Sequence, residues 1–396
     1  MWHPSSAVPL SRRPHPPLTY GAAAFRGHGH MTSIRLLADD LTGALDTAAE
    51  FVPLTGPVQV FWYGAIPAEL PASAALDSGT RELPAPQAAA IVRGLSHHLS
   101  AGGIAFKKID SLMRGPTIPE LGAAMVGWRY GVLAPAFPFQ ARVTRGGRQY
   151  AKHGDGDWVE AGEDLVAALL AQGVKAQRGR LETALQPGIT VFDAETEDDL
   201  RRVVAAVRRC PHPVLWSGTG GLAQALAADG TAAPALPPLP RPVLGLFGSD
   251  HSTTATQLAA CEPHWTMLAD GGPASAGRVA ANLAANGIAL ASFDLPAGTP
   301  RPAAADHIGE QIDRLTRGVE PPGTLIVAGG ETLRGLCQSL GATSLEVRGR
   351  IVPGVPRSVM CGGRWNGVTV VSKSGAFGHP HLLRDLLAVT SERKPS

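Results

Sequence analysis

The sequence predicts an α/β protein of two domains, each a mostly parallel sheet flanked by helices, with the active site in the interdomain cleft. Short β-branched runs alternate with Ala/Leu-rich helical runs along 396 residues, the pattern of parallel sheets with helices on their faces. A proline-rich stretch, Thr231 to Pro242, interrupts the alternation with five prolines in twelve residues. Residues suited to chemistry recur where the runs end, the place where open α/β sheets bind ligands.

Residues 1–30 stand apart. They hold Arg12, Arg13 and Arg26, five prolines and no Asp or Glu. They lack the apolar centre of a signal peptide, and their prolines oppose an amphipathic helix. A good strand follows Met31 at once, so the leader is expected to be disordered or not translated. The first domain is expected over 31–230, with strands near Ile34–Leu37, Val58–Phe61, Ile104–Ile109, Tyr130–Leu133, Thr190–Phe192 and Val214–Trp216. Helices are expected over Ala44–Phe51, Gln87–Leu99, Glu197–Arg208 and Gly221–Ala228. Residues 231–242 read as a semi-rigid linker, since so many prolines carry neither a helix nor a central strand. The second domain is expected over 243–390, with strands near Val243–Phe247, Ala289–Phe293, Leu325–Ala328 and Val368–Ser372.

Composition narrows the function classes. Hydrophobic residues make up 44% and charged residues 17% of the chain, ordinary for a globular protein able to bury a core without staples. A net charge of +2 without a basic run leaves no footprint for nucleic acid. No apolar stretch reaches the ~18 residues of a membrane helix. The four cysteines, Cys210, Cys261, Cys337 and Cys361, form no C-x-x-C pair, which speaks for free thiols in a reducing cytoplasm and against a zinc site. His97, His98, His212 and His264 read as surface or capping residues; His251 and His379 neighbour glycine turns.

Three constellations in the first half carry acid and cation chemistry. In Ala38-Asp39-Asp40-Leu41-Thr42-Gly43-Ala44 two carboxylates stand where a strand yields to a helix. One N-cap needs one such residue, and a second adjacent Asp is costly crowding unless compensated. A carboxylate here would accept the proton of a substrate hydroxyl. Lys107-Lys108-Ile109-Asp110-Ser111-Leu112-Met113-Arg114-Gly115 suits a clamp for a carboxylate or phosphate, Arg114 as a fork and a lysine as a point charge. The loop Pro135 to Gly147 adds Arg142 and Thr144. In the second half, Gly248-Ser249, Gly329-Gly330-Glu331-Thr332 and Lys373-Ser374-Gly375-Ala376-Phe377-Gly378 each follow a predicted strand. Glycines admit phosphate oxygens, helix N-terminal amides attract them, and Lys373 would neutralise a phosphate. None matches the P-loop, because Ser precedes Lys373, and no dinucleotide fingerprint is present.

Together these motifs resemble the four-carbon acid-sugar kinase family. The resemblance rests on ADDLTGA at Ala38–Ala44, KKIDSLMRG at Lys107–Gly115, PAFPFQARVTRGG at Pro135–Gly147 and DAET at Asp193–Thr196. It continues through GSDHSTTATQL at Gly248–Leu258, GGET at Gly329–Thr332, PGVP at Pro353–Pro356 and KSGAFG at Lys373–Gly378, spanning roughly Ile34 to Leu387. It implies transfer of the γ-phosphoryl group of ATP, with Mg²⁺, to a terminal hydroxyl of a tetronate or oxo-tetronate. Asp40 and Asp110 are then the candidate catalytic carboxylates. Asp39, Lys107, Ser111, Arg114, Arg142 and Thr144 fall to the substrate side. Ser249, Gly329, Gly330, Glu331, Thr332, Lys373, Ser374, Gly375 and Gly378 fall to the nucleotide side. The chain departs from the family at Leu112 and Val143, where threonine is usual, at Ala141, where glycine is usual, and at Ala376, where glycine or asparagine is usual. Two lost hydroxyls on the sugar side bear on which acid is taken.

The expectation is therefore a cytoplasmic kinase whose partners are a small acid sugar and ATP, with no nucleic acid and no membrane; a homodimer is compatible with it. Two rivals stand beside it. A phosphatase of the haloacid-dehalogenase type needs aspartates two apart, whereas Asp39 and Asp40 are adjacent. A non-catalytic sensor of nucleotide or acid sugar would have no use for both carboxylates and Lys373.

Overall fold

The computed structural model describes residues 32–390 apart from 153, 155, 231–234, 249–250, 295–298 and 300, and the backbone alone at 301–303, 305 and 306. The expected leader, the first four residues of the expected linker and Ser249 thus lie outside the described residues.

The first strand, β1 (Ile34–Ala38), is buried at every position, Arg35 included, as a strand inside a parallel sheet covered on both faces should be. It leads into α1 (Leu41–Thr55), where the Asp40 side chain accepts from the Gly43 amide and Gly56 at φ 72° ends the helix. Then come β2 (Val58–Trp62), β3 (Ala74–Asp77), α2 (Ala85–Leu95), β4 (Ile104–Lys108), α3 (Thr117–Ala124) and β5 (Tyr130–Ala134). The short strands β6 (Arg142–Arg145), β7 (Arg148–Ala151) and β8 (Val159–Glu160) form a separate antiparallel sheet. The half closes with α4 (Leu165–Ala171), β9 (Ala176–Arg178), β10 (Gly188–Val191), α5 (Glu197–Val207), β11 (Val214–Gly218) and α6 (Gly220–Leu226). Its strands run parallel in the order β2-β3-β1-β4-β11-β5-β10-β9.

The second half contains β12 (Val243–Phe247), α7 (Ser252–Ala259), β13 (Trp265–Leu268), α8 (Pro273–Asn286), β14 (Ile288–Phe293) and α9 (Arg301–Arg317). It continues with β15 (Thr324–Ala328), α10 (Gly330–Leu340), β16 (Ser344–Val352), β17 (Val355–Cys361), β18 (Thr369–Lys373) and α11 (Leu382–Ala388). Strands β13, β14, β12, β15 and β18 are parallel neighbours, and the β16–β17 hairpin lies antiparallel beside them. The hairpin turns on Pro353-Gly354, with Gly354 at φ 80°, a position where a side chain would be strained.

The α/β architecture is as expected, but the two sheets are not separate. Strand β16 pairs antiparallel with β2, Leu345 opposite Val60 and Val347 opposite Val58, and joins both halves into one 15-stranded sheet. The pairing occupies strand edges that would otherwise be open to association. One apolar cluster accordingly runs through both halves, from Phe51 and Val60 to Leu345 and Trp365. Among the described residues, two ion pairs cross between them, Arg334 to Asp77 at 2.5 Å and Arg350 to Glu50.

Candidate active site

At the carboxyl ends of β1, β4 and β18 lies a cleft of about 650 Å³, lined by Asp40, Asp110, Arg114 and Arg142 of the first half and Ser374 and Phe377 of the second. A larger hollow of about 880 Å³ lies further along α1, between Glu50, Pro53 and Leu236. It borders undescribed residues and holds none of the motif residues, so the smaller cleft is the candidate site.

The acidic cluster is organised by a residue the sequence did not single out. Arg81 donates to Asp39 through Nε (2.7 Å) and Nη2 (2.8 Å), and the same Nη2 stands 2.8 Å from Asp40 and 3.6 Å from Asp110. Burial pushes the Asp39 carboxyl up, but Arg81 and the two lysines of β4 outweigh it and hold Asp39 below the usual carboxylate range. Burial likewise opposes ionisation of Asp110, yet the bonds from Arg114 and the charge of Arg81 carry it far below its ordinary value. The compensation that paired aspartates demand thus comes from Arg81, just past β3. Strand β3 reads Ala-Ala-Leu-Asp, too short and too alanine-rich to announce itself, so its following arginine gave no strand-end signal.

Several expected substrate contacts are reassigned. Lys107 is wholly buried and donates to Glu120 at 2.7 Å; it does not line the cleft. Its neighbour Lys108 does, because successive strand residues face opposite ways. Among the described residues no carboxylate lies within 4 Å of Lys108. Thr144 is buried and donates to Gln149, and Asp39 is spent on Arg81, so neither lines the cleft. Arg114 remains half-exposed, but it already bonds both oxygens of Asp110, at 3.0 and 2.6 Å. Arg142 lines the cleft and donates through Nη1 to the carbonyls of Gln140, Ala141 and Lys152, while its buried Nε has no partner among the described atoms. Ser111 and Leu112 both line the cleft, whereas Val143 is buried in β6.

The glycine turns approach from the other half. Gly329 has φ 104° and Gly378 φ 98°. A Cβ on Gly330 would stand 3.4 Å from Asp40 Oδ2 and 3.5 Å from the Thr42 amide, so the start of α10 abuts the start of α1. Thr332 packs against Gly248, whose Cβ would meet its hydroxyl at 2.5 Å. Glu331 is exposed and faces Arg334 at 3.4 Å. Lys373 is buried and donates to the Ser374 carbonyl at 2.9 Å, with Thr254 and the Gly375 carbonyl each at 3.4 Å. No carboxylate among the described residues pairs with it, and burial pushes its ammonium down to about 8. Gln257 donates to the carbonyls of Phe377 and His379 and fixes the loop around Gly378.

Among the described residues no three metal-ligating side chains are grouped, and no helix is long and apolar enough to cross a membrane.

A model of a sugar-binding N-terminal domain matches residues 34–162 and 157–226, and one of a nucleotide-binding C-terminal domain matches 287–383. The D-threonate kinase of Cupriavidus necator is 32% identical over 91% of this chain and 99% of its own length. The D-threonate kinase of Bordetella bronchiseptica is 29% identical, covering 91% and 98%. The 3-oxo-tetronate kinase of Methylobacterium radiotolerans is 28% identical, covering 86% and 95%. A crystal structure of a Salmonella typhimurium LT2 protein superposes with a TM-score of 0.68 at 23% identity, covering 89% of this chain and 98% of that one. That likeness concerns the fold alone.

Proposed function

We propose that this chain, which belongs to the four-carbon acid-sugar kinase family and is a carbohydrate-acid kinase, moves the γ-phosphoryl group of ATP to a terminal hydroxyl of a tetronate or oxo-tetronate. The observation that carries the reading is the approach of Gly330 to Asp40: a glycine turn fit for phosphate oxygens stands so near that a Cβ on it would touch the Asp40 carboxylate. Phosphoryl transfer is catalysed by positioning and charge rather than by covalent chemistry, and such a junction brings donor and acceptor together.

In this reading residues 31–230 bind the acid, residues 243–390 bind the nucleotide, and 231–242 connect them. The triphosphate lies along Gly329, Gly330, Thr332, Ser374, Gly375 and Gly378. Lys373 supplies the countercharge. A buried cation without a carboxylate partner is costly, and a phosphate would relieve that cost. The acid's carboxylate meets Arg142, Lys108 and the free edge of Arg114, with Ser111 and Leu112 beside its hydroxyls. Asp40 and Asp110 orient the acceptor end. Mg²⁺ bound mainly by phosphates and water would need few protein ligands. Asp39 and Asp40 are adjacent and share Arg81, not spaced two apart as a phosphoaspartate phosphatase needs, so nothing supports that reading.

A coupled ADP-release assay tests the reading. The full chain is given Mg-ATP and a panel of D- and L-erythronate, D- and L-threonate and their oxo forms. Turnover on at least one acid well above the rate without acid is expected. Bound ATP with no turnover on any of them would overturn it.

A further inference from the structure

The carboxylates around the cleft are not equivalent. Asp39, Asp40 and Asp110 each have an arginine within 4 Å, Arg81 for all three and Arg114 for Asp110 besides. Asp46 lines the same cleft, and among the described residues no arginine or lysine lies within 4 Å of it. Its side chain accepts a hydrogen bond from the neighbouring Thr47 hydroxyl at 2.8 Å. The charged groups facing Asp46 are Lys108 from β4, Asp40 at the start of its own helix, Arg81 beyond β3, and Glu50 one turn on, itself paired with Arg350.

The helix brings Asp46 to this place. Gly43 and Asp46 are three residues apart on α1 and share a face. A Cβ at position 43 would stand 2.5 Å from Asp40 Oδ1 and 3.0 Å from Lys108 Nζ. The glycine therefore lets the Lys108 ammonium lie against the helix, from where its charge acts on Asp46. The tip of the β16–β17 hairpin, Val352 and Gly354, lines the opposite wall. The result is a carboxylate with an unengaged oxygen, a cation whose charge reaches it and an open side toward the cleft.

We propose that Asp46 accepts the proton of the attacking substrate hydroxyl. The inference rests on the kinase reading above and replaces Asp40 and Asp110 as the proton acceptor, leaving those two to orient. In the step, the hydroxyl oxygen forms a bond to the γ-phosphorus while the bond from that phosphorus to the β,γ-bridging oxygen breaks. The bridging electron pair leaves with the nucleoside diphosphate. The hydroxyl proton passes to a carboxylate oxygen of Asp46 and then to solvent. Burial pushes the Asp46 carboxyl up to about 6 despite Lys108 and Thr47, close to the range in which a general base works best. Asp110, held far lower by its arginines, accepts a proton poorly.

The test compares the full-length protein with Asp46→Asn and Asp46→Glu in the ADP-release assay between pH 5 and 9, with nucleotide affinity by calorimetry and thermal midpoints alongside. For the unaltered protein, kcat/KM should rise through a limb near pH 6. Asp46→Asn should lower kcat by about 100-fold or more, leave the acid KM and nucleotide affinity within about threefold, and abolish the limb. Asp46→Glu should recover part of the rate and move the limb. A kcat within about threefold of the unaltered protein, a limb left in place, or an effect confined to the acid KM would overturn the proposal. Should Asp46→Asn fail to fold, an unmoved limb in Asp46→Glu would overturn it equally. Lack of turnover by the unaltered protein would instead defeat the kinase reading and the proposal with it.

Discussion

Arg81 holds Asp39 by two bonds, Nε to Oδ2 at 2.7 Å and Nη2 to Oδ1 at 2.8 Å, and from that grip it also faces Asp40 and Asp110 at the cleft. Replacing Arg81 by Met should cost about 3–5 kcal/mol at pH 7, as expected when one partner of a buried ion pair is removed. The loss should depend on pH in a definite sense. Asp39 and Asp110 have folded values below their unfolded ones. Their stabilisation is therefore complete above about pH 4 and lost as pH falls through the folded values. Without Arg81 the buried carboxylates prefer the neutral form, so the stability gap between the two proteins should narrow from pH 7 to pH 4. Urea unfolding at several pH values measures it; a constant gap would speak against the assignment.

Lys107 and Glu120 form a buried pair away from the cleft. Lys107→Met should lower stability by about 3–5 kcal/mol, while the acid KM of the folded protein stays within about twofold. Lys108→Met should do the reverse, raising the acid KM at least tenfold with little loss of stability. Steady-state kinetics and chemical denaturation on both variants separate the two lysines.

Lys373 sets stability against function. Its folded value of about 8 lies below the unfolded one near 10.4, so the buried charge costs stability below about pH 8, and stability recovers as pH rises from about 8 to 10.4. Lys373→Met should stabilise the ligand-free protein at pH 7 by up to about 3 kcal/mol, the equivalent of that displacement, and flatten the pH dependence. It should also weaken ATP binding at least tenfold. Thermal midpoints with and without ATP display both effects.

Much of this was legible in the sequence, for identifiable reasons. The buried strands β1, β4, β5, β12 and β15 are short runs rich in apolar residues, and the motifs at their carboxyl ends fell where ligand-binding turns belong. The hairpin β16–β17 was not legible. Its alternation is broken by Gly349 and by the irregular register from Val347 to Val352, and with it the junction that fuses the two sheets was lost. At the cleft, the KKID and DDLTG motifs supply several of the lining residues. Which of two adjacent lysines faces inward depends on where the strand starts, and a chain of residue types does not carry that. Asp46 offered a faint signal, three residues beyond a glycine on one helix face.

Of the two positions where the family resemblance led one to expect threonine on the sugar side, only one lies at the cleft. Leu112 lines the cleft and Val143 does not. Leu112→Thr should therefore shift preference among four-carbon acids by about tenfold or more toward those with an additional hydroxyl, while Val143→Thr should leave preference unchanged and cost stability. Ratios of kcat/KM across the acid panel report the shift.

The most direct test of the central claim is ³¹P NMR of the full chain with Mg-ATP and the best acid of the panel. Transfer to a terminal hydroxyl predicts a phosphomonoester signal split by two methylene protons, growing in step with ADP. Inorganic phosphate in its place, or an unchanged ATP spectrum with every four-carbon acid, would contradict it.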